Sequence, residues 1–217
     1  MKRSAIRWTT ACLGAALTSL ALAGPAAPAG SGRCDTPVVL SATDQAVRED
    51  FNKARGTVRL VFLVDPVCSH CLRGMSDLDR DVLRPHAGDA RLTAFVIHMS
   101  VLGAKQADVA NACQVMPGTG AKHYWDPAGN AGRLFGQGLA LKSEAGKDVF
   151  AWDVWAIYGP DAQWTSTLPP RPVFAMHQLS DLMWQKTYPF LDSSAFAKEV
   201  ARQLASLKPA HGSTAHE

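Results

Sequence analysis

One stretch sets most of what this chain can fold into. Val58 to Val64 (Val-Arg-Leu-Val-Phe-Leu-Val) is a near-continuous apolar run, and Cys68-Ser69-His70-Cys71 follows it within four residues. A run of that kind reads as a strand buried on both faces, which requires a sheet covered by helices on each side. After the cysteines, Leu72, Met75, Leu78 and Val82 recur at helical spacing until Arg84-Pro85 stops them. The order is therefore strand, tight turn, cysteine at a helix start. A helix start presents unsatisfied N–H groups and a partial positive charge. Both favour a thiolate over a thiol, so the first cysteine is placed to act as a nucleophile at neutral pH.

The rest of the chain supplies the partners such a strand needs. Arg91 to Met99 predicts a second buried strand, and Lys105 to Met116 a helix closed by Pro117-Gly118. Lys122 to Trp125 predicts a short strand. Asp126-Pro127-Ala128-Gly129-Asn130 then turns into a helix over about 131–141. Asp153 to Tyr158 predicts a third strong strand, which Gly159-Pro160-Asp161-Ala162 turns back into Gln163-Trp164-Thr165. Phe196, Val200, Leu204 and Leu207 share a face of a last helix over 194–207, with Ser193 or Ser194 as its N-cap. Strands alternating with helices predict an α/β domain with helices on both faces of a mixed sheet.

Both ends of the chain read differently. Lys2, Arg3 and Arg7 precede a short apolar stretch, Thr9 to Ala23, that ends in Ala21-Leu22-Ala23. That pattern predicts an export signal over 1–23 and a periplasmic or secreted protein with no stable membrane span after cleavage. Residues 24–37 read as a flexible leader, 38–208 as one domain, and 209–217 as a disordered tail. The chain carries a formal charge of +3, and residues 1–23 hold three of its basic residues and no acidic one, which leaves the remainder neutral. No basic stripe with interleaved aromatics is present, so nucleic acid is not an expected partner. Cleavage leaves Cys34, Cys68, Cys71 and Cys113. Export implies an oxidising compartment, where four cysteines allow three pairings. Cys68–Cys71 is the expected redox pair. Cys113, in an alanine-rich helical pattern, reads first as a buried core thiol, and its pairing with Cys34 stays open.

A buried strand ending in C-x-x-C, then helix, strand, helix, a final hairpin and a C-terminal helix resembles the thioredoxin-like superfamily. The resemblance covers about Val38 to Leu207, with an extra strand and helix inserted before the final hairpin. Trp125-Asp126-Pro127-Ala128-Gly129 resembles the turn and helix of exported thiol-disulfide reductases and peroxiredoxins. The resemblance implies a thiol-disulfide oxidoreductase acting on protein thiol or disulfide clients with a separate redox partner, and no cofactor. By position, it makes Cys68 the attacking and Cys71 the resolving cysteine. His70 stands where oxidising relatives carry histidine and reducing thioredoxins carry proline, so Ser69-His70 leans toward oxidase or isomerase chemistry.

Two places depart from that pattern. The buried carboxylate many relatives carry six residues before the first cysteine is Phe62 here. Asp65 is the nearest carboxylate in sequence, a candidate proton acceptor for Cys71 or a shaper of the turn. The proline expected to face the cysteines is also missing. If Asp153 opens the hairpin strand, the facing position falls near Ala151-Trp152-Asp153. Pro172, ahead of Val173 to His177, is the alternative. Tyr124, Trp125, Trp152, Trp155, Tyr158, Trp164, Phe174 and Trp184 read as core, with Trp152, Trp164 and Phe174 as candidates for an apolar client groove. A metal-binding protein of the same fold is the competing reading, with Cys68 and Cys71 joined by His70, His98 or His123 around copper, zinc or mercury. A purely structural disulfide fits less well, since a staple gains more by joining distant residues.

Overall fold

The computed structural model describes residues 36–41, 43–143, 145–178 and 187–207. The expected signal and tail, Cys34 and Trp184 lie outside the described residues. In chain order the elements are β1 (Val38–Val39), α1 (Gln45–Lys53), β2 (Val58–Val64), α2 (Ser69–Leu78), a π-helical turn (Asp79–Leu83) and β3 (Leu92–Met99). Then come α3 (Gln106–Cys113), β4 (Lys122–Asp126), α4 (Asn130–Gly138), β5 (Val154–Tyr158), β6 (Phe174–His177) and α5 (Ser193–Ser206).

The sheet runs β1-β4-β3-β2-β5-β6. β2 pairs parallel with β3 and antiparallel with β5, β3 and β4 are parallel, and β6 returns antiparallel along β5. The β3-β2-β5-β6 core with α2 and α5 is a mixed sheet flanked by helices, as the sequence predicts, and α3, β4 and α4 lie between β3 and β5. All seven residues of β2 are buried, as the apolar run requires. Val61 and Leu63 join Phe51, Phe95, Tyr124, Phe135 and Trp164 on one face. Leu60, Phe62 and Val64 join Met75, Leu78, Trp155, Phe196 and Val200 on the other. Each large side chain so buried stabilises the fold by about 1.5–3 kcal/mol.

The hairpin differs from the expected one. Trp164 does not lie on a strand. Its indole is buried, with edge contacts to Phe51 at 6.1 Å and Phe135 at 5.5 Å. The Trp164 backbone N–H donates to Asn52 Oδ1 at 2.8 Å, and its carbonyl accepts from Asn52 Nδ2 at 3.0 Å. Arg59, fully buried on β2, draws the preceding turn down with it. Its guanidinium donates to the carbonyls of Gly159, Pro160, Ala162 and Phe51 at 2.6–3.0 Å and sits 4.3 Å from the centre of the Phe51 ring. Tying the turn to α1 in this way gives the two terminal nitrogens of a buried cation four carbonyl acceptors. The return strand is therefore β6, fifteen residues later.

Smaller differences have local causes. Asp192, not Ser193 or Ser194, caps α5, since its Oδ1 accepts from Ala195 N at 3.0 Å. The Asp126-Pro127-Ala128-Gly129 turn works as the cap of α4. Asp126 accepts from Ala128 N at 3.2 Å and Ala131 N at 2.7 Å, and Gly129 takes the left-handed conformation at φ 65°.

Candidate active site

Cys68 is the N-cap of α2, held extended at φ −76°, ψ 117°, and its sulfur accepts from Cys71 N at 3.5 Å. It is 8% exposed, while Cys71, one turn along, is fully buried. Both are free thiols, so the pair is in its dithiol form. Ser69 and His70 between them face solvent. Cys71 Sγ also accepts the Asp65 N–H at 3.5 Å.

The carboxylate beside these thiols is not the one nearest in sequence. Asp65 is buried, but both its oxygens are committed to backbone. Oδ1 accepts from Val67 N at 2.8 Å, and Oδ2 from Val101 N at 2.8 Å and Leu102 N at 2.6 Å. Asp65 thus clamps the β2–α2 turn to the loop after β3, the turn-shaping alternative of its two expected roles. Its clamp also holds Val67 and Leu102, both about half exposed, beside the site. The carboxylate at the thiols is Asp153. One of its oxygens and the two sulfurs all lie within 4.8 Å of one another.

Asp153 immediately precedes β5, and β5 runs antiparallel to β2, so the sheet returns this residue to the C-terminal end of β2 where the cysteines sit. This is the facing position expected to hold proline. Pro172 sits ahead of Phe174, which pairs with Ile157 at the opposite end of the hairpin, while His177 pairs with Val154 at the site end. Pro172 is therefore remote from the cysteines. Asp153 has φ 50°, a left-handed conformation that aspartate and asparagine tolerate better than most residues. Gln178 fixes it. The Gln178 backbone N–H donates to the Asp153 carbonyl at 3.1 Å. With its amide nitrogen turned inward, the side chain donates to Asp153 Oδ1 and to the His70 carbonyl, each at 3.1 Å.

Burial lifts the Asp153 carboxyl to about 6, with Cys71, His70 and the Trp155 indole pulling it partly back. Burial pushes the Cys71 thiol far above its ordinary range, and the Asp153 charge adds to the effect. Phe62, where a carboxylate was expected, packs its ring 4.8 Å from that of Trp155. The carboxylate beside the thiols thus comes from the residue before β5 and not from β2.

Gly74 lets β5 and β6 come this close to α2. A Cβ there would collide with the Trp155 ring and the Gln178 amide. Gly74→Ala gains helix propensity of up to about 1 kcal/mol, yet it should lower stability by about 1–3 kcal/mol through overpacking. Urea titration checks this; a variant more stable than the parent would mean the Trp155 ring has room to move.

The other expected site residues are elsewhere. His98 and His123 do not reach Cys68 and Cys71. His98 Nε2 and His123 Nδ1 lie 3.0 Å apart, and both group with Cys113. Cys113 is buried and disulfide-bonded, not a core thiol, and its bonded partner lies outside the described residues. Trp164 is core. Trp152 and Phe174 are half-buried, but Phe174 packs on Phe196 at 6.2 Å near the far end of β6, so the three do not line one groove. Among the described residues no helix is long and apolar enough to cross a membrane.

No family model and no curated protein matches this chain. Solved structures do show similarity. A thiol:disulfide interchange protein of the thioredoxin family from Chlorobium tepidum shares 10% identity at a TM-score of 0.44, over 70% of this chain and 83% of that one. A secreted Mycobacterium tuberculosis disulfide oxidoreductase homologous to E. coli DsbE shares 10% at 0.42, over 69% and 84%. Bradyrhizobium japonicum ScoI with copper bound shares 15% at 0.40, over 70% and 87%.

Proposed function

We propose that this chain is an exported thiol-disulfide oxidoreductase that exchanges disulfides with protein clients through Cys68 and Cys71. The observation that carries the reading is the pairing of a rim thiol with a buried one beside a buried carboxylate. In the reducing direction the Cys68 thiolate attacks one sulfur of a client disulfide, forming a mixed disulfide and releasing the other client sulfur as a thiol. Cys71 then has to give up its proton before attacking Cys68. Burial makes that loss difficult, and Asp153, ionised above about pH 6, is the group within reach to take the proton. Attack by the Cys71 thiolate closes Cys68–Cys71 and expels the client's second thiol. The oxidising direction is the same sequence reversed, with direction set by the redox partner and compartment. His70 acts from the solvent-facing first turn, where its charge favours the ionised Asp153 carboxylate. Val67 and Leu102 supply an exposed apolar rim for an unfolded client.

The test is trapping. Cys71→Ser leaves the attacking thiol but removes the one that resolves, so mixed disulfides should accumulate and run as reducible high-mass species. Cys68→Ser should trap nothing. If Cys71→Ser captures no client from an extract of the exported compartment, and neither variant alters disulfide exchange with a model peptide, the reading is wrong.

Cys68, Cys71 and Asp153 also form a compact set of two soft donors and one hard one, which is the observation behind a metal-binding reading. Stoichiometric metal retained by the dithiol form, with no exchange activity, would favour it over the enzyme.

A further inference from the structure

Away from the cysteine pair, three more ligand-type side chains converge. A ring nitrogen from each of His98 and His123 and the Cys113 sulfur all lie within 4.8 Å of one another. The geometry points to a second, redox-gated site at which His98, His123 and Cys113 bind a thiophilic metal ion such as Zn(II) once the Cys113 disulfide is opened.

Regular structure fixes all three side chains. His98 is on β3 and His123 on β4, where the parallel register sets His98 opposite Trp125 and His123 opposite Val96. The two histidines are thus offset by two residues on one face of the sheet. Their rings stack at 5.3 Å and 20°. Cys113 is the last residue of α3, which packs over β4 and encloses the sulfur with Ala104, Val109 and Trp125. A small apolar shell around preorganised ligands is what a metal site requires.

A second observation points to a ligand. His98 is fully buried, and its Nδ1 has no hydrogen-bond partner among the described residues. A buried polar atom without a partner costs about 1–3 kcal/mol, a cost that an ion held through that nitrogen would remove. His123 is only half-buried, so the cluster has an entrance on its side. Two imidazoles and one thiolate suit zinc or copper, with a fourth position left for water or a further ligand.

In the disulfide form Cys113 has no thiolate to offer. Opening it takes two electrons from a dithiol, which itself becomes a disulfide while its two protons pass to the released sulfurs. Metal binding then displaces the proton from the Cys113 thiol, leaving sulfur and two neutral imidazoles as ligands. Exchange with a disulfide, which takes up the two electrons and becomes a dithiol, re-forms the Cys113 disulfide and ejects the ion. The site reports the redox state of its compartment and does not depend on the Cys68–Cys71 reading.

The experiment uses the full chain carrying Cys68→Ala and Cys71→Ala, so that only the second site can answer. After reduction with dithiothreitol and anaerobic desalting, Co(II) is the probe. The expected result is one Co(II) per chain with a thiolate-to-cobalt charge-transfer band and tetrahedral d–d absorption, absent from the unreduced protein. Cys113→Ser should remove the charge-transfer band. His123→Ala, at a half-exposed position that spares the core, should weaken binding by at least about tenfold. No binding after reduction overturns the proposal, as does equal binding before it. A charge-transfer band that survives Cys113→Ser, or affinity that ignores His123→Ala, overturns the ligand assignment. None of these results bears on client trapping by Cys71→Ser in the otherwise unaltered chain.

Discussion

Asp153→Asn should slow resolution of the mixed disulfide by about a hundredfold or more at pH 7, the lower end of what a positioned proton acceptor contributes. The substitution isolates the chemistry from the backbone. Asparagine tolerates the left-handed conformation at φ 50° as well as aspartate does. It can keep the polar contact with Gln178, but it cannot accept the Cys71 proton. The parent rate should rise with pH through about 6 as Asp153 ionises, and the variant should lose that inflection. Attack by Cys68 on the client, which does not pass through Asp153, should change far less. Stability should move the other way. The folded parent holds a proton on Asp153 up to about pH 6 that the unfolded chain releases near 3.8. Its stability therefore falls as pH rises through that window. A neutral amide escapes this loss, so Asp153→Asn should be the more stable protein at pH 8. Single-turnover decay of a preformed mixed disulfide, followed from pH 5 to 8, is the measurement. An unchanged rate and an unchanged profile would remove Asp153 from the mechanism.

The sequence revealed the half of the site that is local and hid the half that is not. Cys68 and Cys71 were legible because a buried strand, a turn and a helix start are all set by neighbouring residues. β2 emerged with its expected bounds for the same reason: its apolar run has nowhere to go but the middle of a sheet. Asp153 was invisible as an acid because its partners are more than eighty residues away, and only the antiparallel pairing of β5 with β2 brings it to them. Asp65, three residues from Cys68, was the natural candidate. Its carboxylate is taken by Val67, Val101 and Leu102, two of them across a gap that spacing cannot see. The missing proline gave the useful hint, since it marked Ala151 to Asp153 as the facing segment before any coordinate did. The hairpin misled for a related reason. Gly159-Pro160 is a sound turn signal, but Arg59 takes its carbonyls, and Trp164 is worth more in the core than on a strand. The sequence could not show that a cation inside an apolar strand would need three carbonyls from the loop after β5 and a fourth from α1.

Asp44→Asn should raise stability above neutral pH by at most about 4 kcal/mol, the equivalent of the displacement of this carboxyl from 3.8 to about 7. Asp44 precedes α1 in a left-handed conformation at φ 48°, fully buried, and makes no capping hydrogen bond. Neither of its oxygens has a partner among the described residues. Burial raises the carboxyl most, the Asp126 charge raises it further, and Arg133 offsets part of this. The Asp126 oxygens hold the start of α4. The folded chain consequently keeps a proton on Asp44 that the unfolded chain gives up near pH 4. Between about pH 4 and pH 7 the folded state binds more protons than the unfolded, so stability declines as pH rises. Asparagine carries no charge to bury, suits the left-handed backbone and offers Asp126 a donor. At about 2–4 °C per kcal/mol for a domain of this size, the variant should melt several degrees above the parent at pH 8, with the gap closing toward pH 4. Paired melting curves across that range decide the matter. A parent that is no less stable at pH 8 than the variant would show that water or Arg133 already compensates the charge.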